Sequence, residues 1–260
     1  MTEDPKTENV IEVRGIRTQF GSHVIHENLD LDLKRGEILG VVGGSGTGKS
    51  VLLRTIVGLI RPAAGTVRVL GQDVGQLSGP AREALERRWG VMFQDGALFS
   101  SLTVQENVEV PLRAVPGLSA AQREALAQLK VSMAGLPWNA NEKYPSDLSG
   151  GMKKRAGMAR ALALDPEIVF LDEPTAGLDP IGADAFDKLI VGLRDALNLS
   201  VFLVTHDLDT LHACCDRIAV LAEKRVLVTG TMAEMLKVDH PWVHEYFHGP
   251  RARAAMTEKG

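Results

Sequence analysis

The sequence predicts an α/β fold built on a mostly parallel sheet, and three observations predict it. Short β-branched runs alternate with longer segments of helical periodicity, the signature of strands joined by crossover helices. A glycine-rich loop, Gly43–Ser50, sits between an apolar strand-like run and a helix-like run. A second apolar run, Ile168–Leu171, ends in the adjacent carboxylates Asp172 and Glu173, at the sheet edge where open parallel sheets place ligand groups.

Taken in order, strands are expected at Val10–Arg14, Leu29–Leu33, Glu37–Val42, Thr66–Leu70, Gly90–Phe93, Glu167–Leu171, Val201–Val204, Arg217–Leu221 and Arg225–Val228. The first strands flank the turn-rich Phe20–Ser22 and read as an antiparallel sheet beside the parallel one. Between Phe93 and Pro166 the strand signals stop, and Gln122–Gly135 and Gly150–Leu164 carry apolar residues at helical spacing, so a helical insertion is expected at about 95–165. One main domain is expected over 10–249, with a polar, acidic, loose start at 1–9. Residues 250–260 are small and charged without apolar periodicity, and read as a loose tail. No fixed-period repeat points to a solenoid.

Apolar residues make up 45% and charged residues 24%, the balance of an ordinary globular protein. A net charge of -4 argues against a nucleic-acid-coating surface, which needs a basic excess. The longest apolar runs fall far short of the roughly 18 to 20 residues that span a bilayer, so no direct membrane spanning is expected. Met1–Asn9 lacks the apolar core of a secretory signal, which predicts a cytoplasmic location. The only cysteines, Cys214 and Cys215, are neighbours in a helical pattern; they suggest no disulfide framework and read as small buried residues.

Gly43, Gly44, Ser45, Gly46, Thr47, Gly48, Lys49 and Ser50 fit GxxxxGK[ST] between a strand and a helix. Glycines let the backbone curl so that its amides face phosphate oxygens, and the helix N-terminus adds partial positive charge. Lys49 then meets the β- and γ-phosphates, and the Ser50 hydroxyl suits Mg²⁺. Downstream, Asp172 suits the same Mg²⁺ through its water shell, and Glu173 suits a general base for an attacking water. Leu148-Ser149-Gly150-Gly151 opens a further helix, with Ser149 at its N-cap and glycines that admit an anion. Taken alone, that segment also fits a merely capped helix.

The order of Gly43–Ser50, Gln94, Leu148–Gly151, Asp172-Glu173, Asp179 and His206 resembles that of ABC-type ATPases over nearly the whole chain. The resemblance implies the ABC form of the P-loop NTPase fold, with a mixed, mostly parallel sheet, an N-terminal antiparallel β subdomain and a helical insertion. It implies ATP and Mg²⁺ as cofactors. It makes Phe20 the aromatic that stacks on adenine, Gln94 a residue sensing Mg²⁺ and the attacking water, and His206 a switch histidine near the γ-phosphate. It also implies a head-to-tail homodimer in which Ser149, Gly150, Gly151 and Asp179 reach the partner's ATP. Asp179 also reads as an N-cap before Pro180, and both roles are compatible.

The signature here ends in Met152 rather than the common Gln and continues Lys153-Lys154-Arg155. Together with Phe93–Phe99, this resembles the ATPases of MCE-associated lipid transporters of the Mla and toluene-tolerance type. That resemblance implies an integral membrane permease and an MCE-domain protein as partners, a small STAS-type regulator as a further candidate, and a peripheral place on the inner membrane. The alternatives are the ATPase of a solute importer or exporter and a soluble, non-transport ABC ATPase. The apolar segment Gly96–Val104 is where this family receives a permease's coupling helix; a packed helix is the other reading. His240, His244 and His248 are spaced by four, but Pro241 and Gly249 limit the helix and no fourth ligand is evident, so no zinc site is predicted. Trp242, Tyr246 and Phe247 read as packing residues.

Overall fold

The computed structural model describes residues 8–94 and 96–249. The chain divides into two units, Met1–Leu77 with Phe202–Gly260, and Ser78–Val201. The first unit opens with β1 (Asn9–Phe20) and β2 (His23–Lys34), which pair antiparallel with Val13 opposite Leu31. Ile11, Val13, Ile16, Leu29, Leu31 and Leu33 are buried, the alternation of a sheet with one covered face. Both strands run beyond their apolar stretches because ladder pairing continues through the polar ends, where Phe20 still faces His23. Next come β3 (Ile38–Val42), α1 (Lys49–Ile56), β4 (Ala64–Val69) and β5 (Gln72–Asp73). The first sheet has the order β2-β1-β4-β5, antiparallel throughout. All five residues of β3 are buried, as its unbroken apolar run requires.

The second unit holds α2 (Gly79–Glu86), β6 (Trp89–Met92), α3 (Val104–Leu112), α4 (Ala120–Met133), α5 (Gly150–Ala161), β7 (Ile168–Asp172) and α6 (Pro180–Leu197). Strand β8 (Ser200–Val204) crosses the division between units. β6 and β7 pair in parallel, with Trp89 opposite Ile168 and Met92 opposite Leu171. α3, α4 and α6 start where their capping chemistry dictates. Thr103 with Glu106 and Ser119 with Gln122 form capping boxes for α3 and α4. Asp179 caps α6 by accepting from the Gly182 N–H at 2.9 Å, ahead of Pro180.

The chain then returns to the first unit with α7 (Leu208–Cys214), β9 (Arg217–Ala222), β10 (Arg225–Gly230), α8 (Met232–Met235) and α9 (Pro241–His248). β9 lies parallel to β3, pairing Leu39 with Arg217 through Val42 with Val220, and β10 joins β9 antiparallel. Val42, Leu211, Ile218, Val220, Met235, Val243 and Phe247 close one buried cluster here. The chain thus adopts the expected α/β fold, an antiparallel sheet together with mixed, mostly parallel pairing. Cys214 is buried and Cys215 partly so, and neither is in a disulfide. Among the described residues no helix is long and apolar enough to cross a membrane. The expected tail at 250–260 lies outside the described residues.

Candidate functional site

In the first unit, β3 runs into Gly43–Ser50 and the loop into α1. The N-cap of α1 is Gly48, with φ 95 and no side-chain cap, so no side chain caps the helix's first amides. A Cβ on Gly48 would stand 2.4 Å from Ile25 Cγ2 and 2.5 Å from His26 Nε2, so both the conformation and the space demand glycine. These features suit a phosphate cradle: a curled backbone and a helix start that a phosphate can cap. The Lys49 ammonium donates to the Gly43 carbonyl at 2.8 Å and the Gly44 carbonyl at 3.1 Å, which folds it over the loop it is expected to serve. Beneath the loop His26 is fully buried, and burial pushes its pKa down to about 4, so the ring is neutral.

His206 belongs to the same unit and follows β8 directly. The Thr205 N–H donates to the Val41 carbonyl at 3.3 Å, which ties the residue before His206 to the strand that feeds the loop. His206 is exposed, and its carbonyl accepts from the Tyr246 hydroxyl at 2.9 Å. Phe20 stands at the end of β1 and is 52% exposed.

The other expected site residues lie in the second unit. Asp172 ends β7 and is buried; Glu173 follows with φ 51, a left-handed conformation that is costly for a residue with a Cβ. Gln94 is exposed beyond β6. Lys154, buried in α5, links these segments: its ammonium donates to the Gln94 carbonyl and, at 3.0 Å, to the Glu173 carbonyl. Ser149 caps α5 by accepting from the Met152 N–H at 3.3 Å, and Gly150 beside it is exposed at the helix start.

Residues 96–103 form a braced turn, so the packed-helix reading of this segment does not hold; α3 begins only at Val104. Arg160 of α5 donates to the Ala97 carbonyl at 2.7 Å and the Gly96 carbonyl at 2.9 Å, and its guanidinium lies 5.8 Å from the Phe99 ring centre. Asn107 is fully buried, accepts from the Phe99 N–H at 2.7 Å and donates to the carbonyls of Phe99, Leu102 and Thr103. A Cβ on Gly157 would stand 3.1 Å from Gly96 Cα, so α5 and the turn approach backbone to backbone. Phe99 is left 51% exposed on the wall of a mainly apolar groove of about 370 Å³, lined also by Trp89, Val91, Val110 and Pro111.

The model of the family described as "ABC transporter" matches residues 26–176, the stretch that holds the phosphate loop, the capped start of α5 and the end of β7. The chain belongs to the ABC transporter family. It is an ATPase, the ATP-hydrolysing subunit of a membrane ABC transporter. It is 36% identical over 241 residues to the "Probable ribonucleotide transport ATP-binding protein mkl" of Mycobacterium leprae, covering 93% of this chain and 69% of that one. It is 36% identical over 242 residues to the "Intermembrane phospholipid transport system ATP-binding protein MlaF" of Haemophilus influenzae, covering 93% of this chain and 91% of that one. Among solved structures it resembles the ADP- and phosphate-bound dimer of the ATP-binding cassette MJ0796, with a TM-score of 0.78 and 29% identity over 85% of this chain and 98% of that one.

Sequence reasoning alone missed several residues of this ABC ATPase. Lys154 was visible only as part of a basic triplet, and its burial is what distinguishes it from Lys153. His26 looks like any polar position in an alternating strand. Trp242 and Tyr246 read as packing residues but reach the Gly44 and His206 segments, which no local pattern announces. Of the C-terminal histidines, His248 meets the Leu236 carbonyl at 2.9 Å and stacks on His244, while His240 faces Glu223 at 3.7 Å.

Proposed function

We propose that this chain powers a transporter that moves phospholipids or related lipids between inner and outer membranes, with an integral permease and an MCE-domain protein as partners. The observation that carries the reading is end-to-end likeness to MlaF, joined to a signature segment ending in Met152. The chain would act as a homodimer, peripheral on the cytoplasmic side of the inner membrane. A STAS-type regulator is a further candidate partner, against the helical insertion.

In this reading Gly43–Ser50 holds the ATP phosphates, Phe20 stacks on adenine, and Ser149, Gly150, Gly151 and Asp179 meet the ATP of the partner subunit. Ser50, Asp172 and Gln94 each offer oxygen donors, the chemistry that suits Mg²⁺. Bound there, the ion would neutralise phosphate charge as it develops. Glu173 accepts a proton from the attacking water, and His206 and Gln94 orient the γ-phosphate end. The groove beside Phe99 suits a short amphipathic helix of the permease, because its rim is braced and its wall is apolar and exposed.

Purification of the full chain from native membranes tests the transporter assignment. A permease and an MCE-domain protein are expected to accompany it, with ATP turnover higher in that complex than in the isolated chain. Co-purification of a permease with an extracytoplasmic solute-binding protein would favour a solute importer. Ribosomes in place of any permease would defeat the transporter reading.

A further inference from the structure

The geometry points to a role for the C-terminal helix α9 in the nucleotide site: Trp242 and Tyr246 act as one positioning unit that joins the phosphate loop to His206. The two rings stack with centres 4.9 Å apart and planes 14° from parallel, so they move as a single plate. At one end the Trp242 indole nitrogen lies 3.6 Å from the point where a Cβ on Gly44 would stand. At the other, the Tyr246 hydroxyl donates to the His206 carbonyl at 2.9 Å. The plate itself is anchored, because Val243 and Phe247 on the same helix are fully buried in the cluster that contains Val42, immediately before the loop, and Leu211, on the helix after His206.

Each contact has a distinct physical consequence. His206 is exposed and follows a β-strand, so its side-chain direction depends on the peptide that carries it; a hydrogen bond to its own carbonyl restricts that peptide. Gly44 belongs to a loop that must present amides in one direction, and the nitrogen edge of the Trp242 indole beside it limits alternative curls. Stacking couples the two restraints, so displacement of the loop by nucleotide is felt at His206 through Trp242 and Tyr246. Both residues are positioning residues: they act through His206 and the loop.

This inference rests on the role proposed for His206, and the test separates the two. In the full chain, Tyr246→Phe keeps the ring and removes the donor. Turnover is expected to fall about fivefold, the size of one net hydrogen bond, while nucleotide affinity stays at the wild-type value and the chain stays folded, with a melting temperature lowered by no more than one such bond. On a His206→Ala background the same change is expected to add nothing. A His206→Ala variant that turns over ATP like wild type would overturn the role of His206 itself. A dead His206→Ala variant beside an unimpaired Tyr246→Phe variant would overturn only the positioning role. Independently, ATP binding is expected to change tryptophan emission, and Trp242→Phe is expected to remove most of that change although Trp89 and Trp138 remain. An undiminished response would overturn the contact with the loop.

Discussion

Lys154 carries the clearest lesson at the scale of single residues. A buried ammonium is costly unless it is well solvated by protein dipoles, and here two backbone carbonyls, those of Gln94 and Glu173, supply that solvation. The cation in turn braces the peptide of Glu173, whose positive φ otherwise stores strain. Lys154→Met is therefore expected to lower turnover at least about tenfold while nucleotide still binds, with partial recovery in Lys154→Arg; steady-state kinetics beside a nucleotide-binding titration checks both. Glu173→Gln is a sharper case, because it removes the proposed base and leaves the cradle. It is expected to abolish phosphate release and to accumulate an ATP-bound dimer on size exclusion, and near-normal release would remove Glu173 from its role. Gly48→Ala is expected to abolish nucleotide binding, since the new methyl collides with Ile25 and His26 in a conformation alanine rarely adopts.

At the scale of elements, the turn at 96–103 is a structure without a regular element of its own, held from α3 by Asn107 and from α5 by Arg160. Asn107→Ala leaves the partly buried carbonyls of Phe99, Leu102 and Thr103 short of a donor and is expected to cost about 1–3 kcal/mol, read as a lower melting temperature together with faster amide exchange confined to 96–103. The same segment marks where the sequence stops being legible. Strands were readable because apolar runs such as Ile168–Leu171 and Val201–Val204 are too short for a helix and rich in β-branched and aromatic residues, and the phosphate loop because its glycines are bounded by a strand and a helix. Strand ends were not, since β1 and β2 continue by pairing through polar residues that carry no apolar signal. Supports that act over long sequence separation were also hidden. Arg160 and Gly96 are far apart in the chain, as are Tyr246 and His206, and no periodicity links them. Of the exposed residues expected at the site, Gln94 is legible only by resemblance to a family, whereas the apolar run Val201–Val204 ahead of His206 also points to it.

For the molecule as a whole, the neutral His26 makes stability depend on pH with a definite sign. Its folded pKa of about 4 lies below the ordinary value of 6.5, so between those values the unfolded chain binds a proton that the folded chain refuses. Stability from this group is complete above about pH 6.5 and is lost as pH falls towards 4, with a full span of roughly 3 kcal/mol. Thermal melts of wild type and His26→Gln from pH 7.5 to 4.5 are expected to show a shallower loss in the variant, and parallel slopes would remove His26 from the account. The pairing of β3 with β9 has a consequence for how the protein is made. The strand that feeds the phosphate loop is flanked by residues 217–220 and packed by residues 243 and 247, so translation delivers the loop long before the segments that steady it. The loop can settle only once the chain has been made as far as residue 247. Messages cut short upstream of Arg217 therefore yield chains with an unsatisfied β3 flank, prone to aggregation and fit for degradation rather than for idle ATP capture.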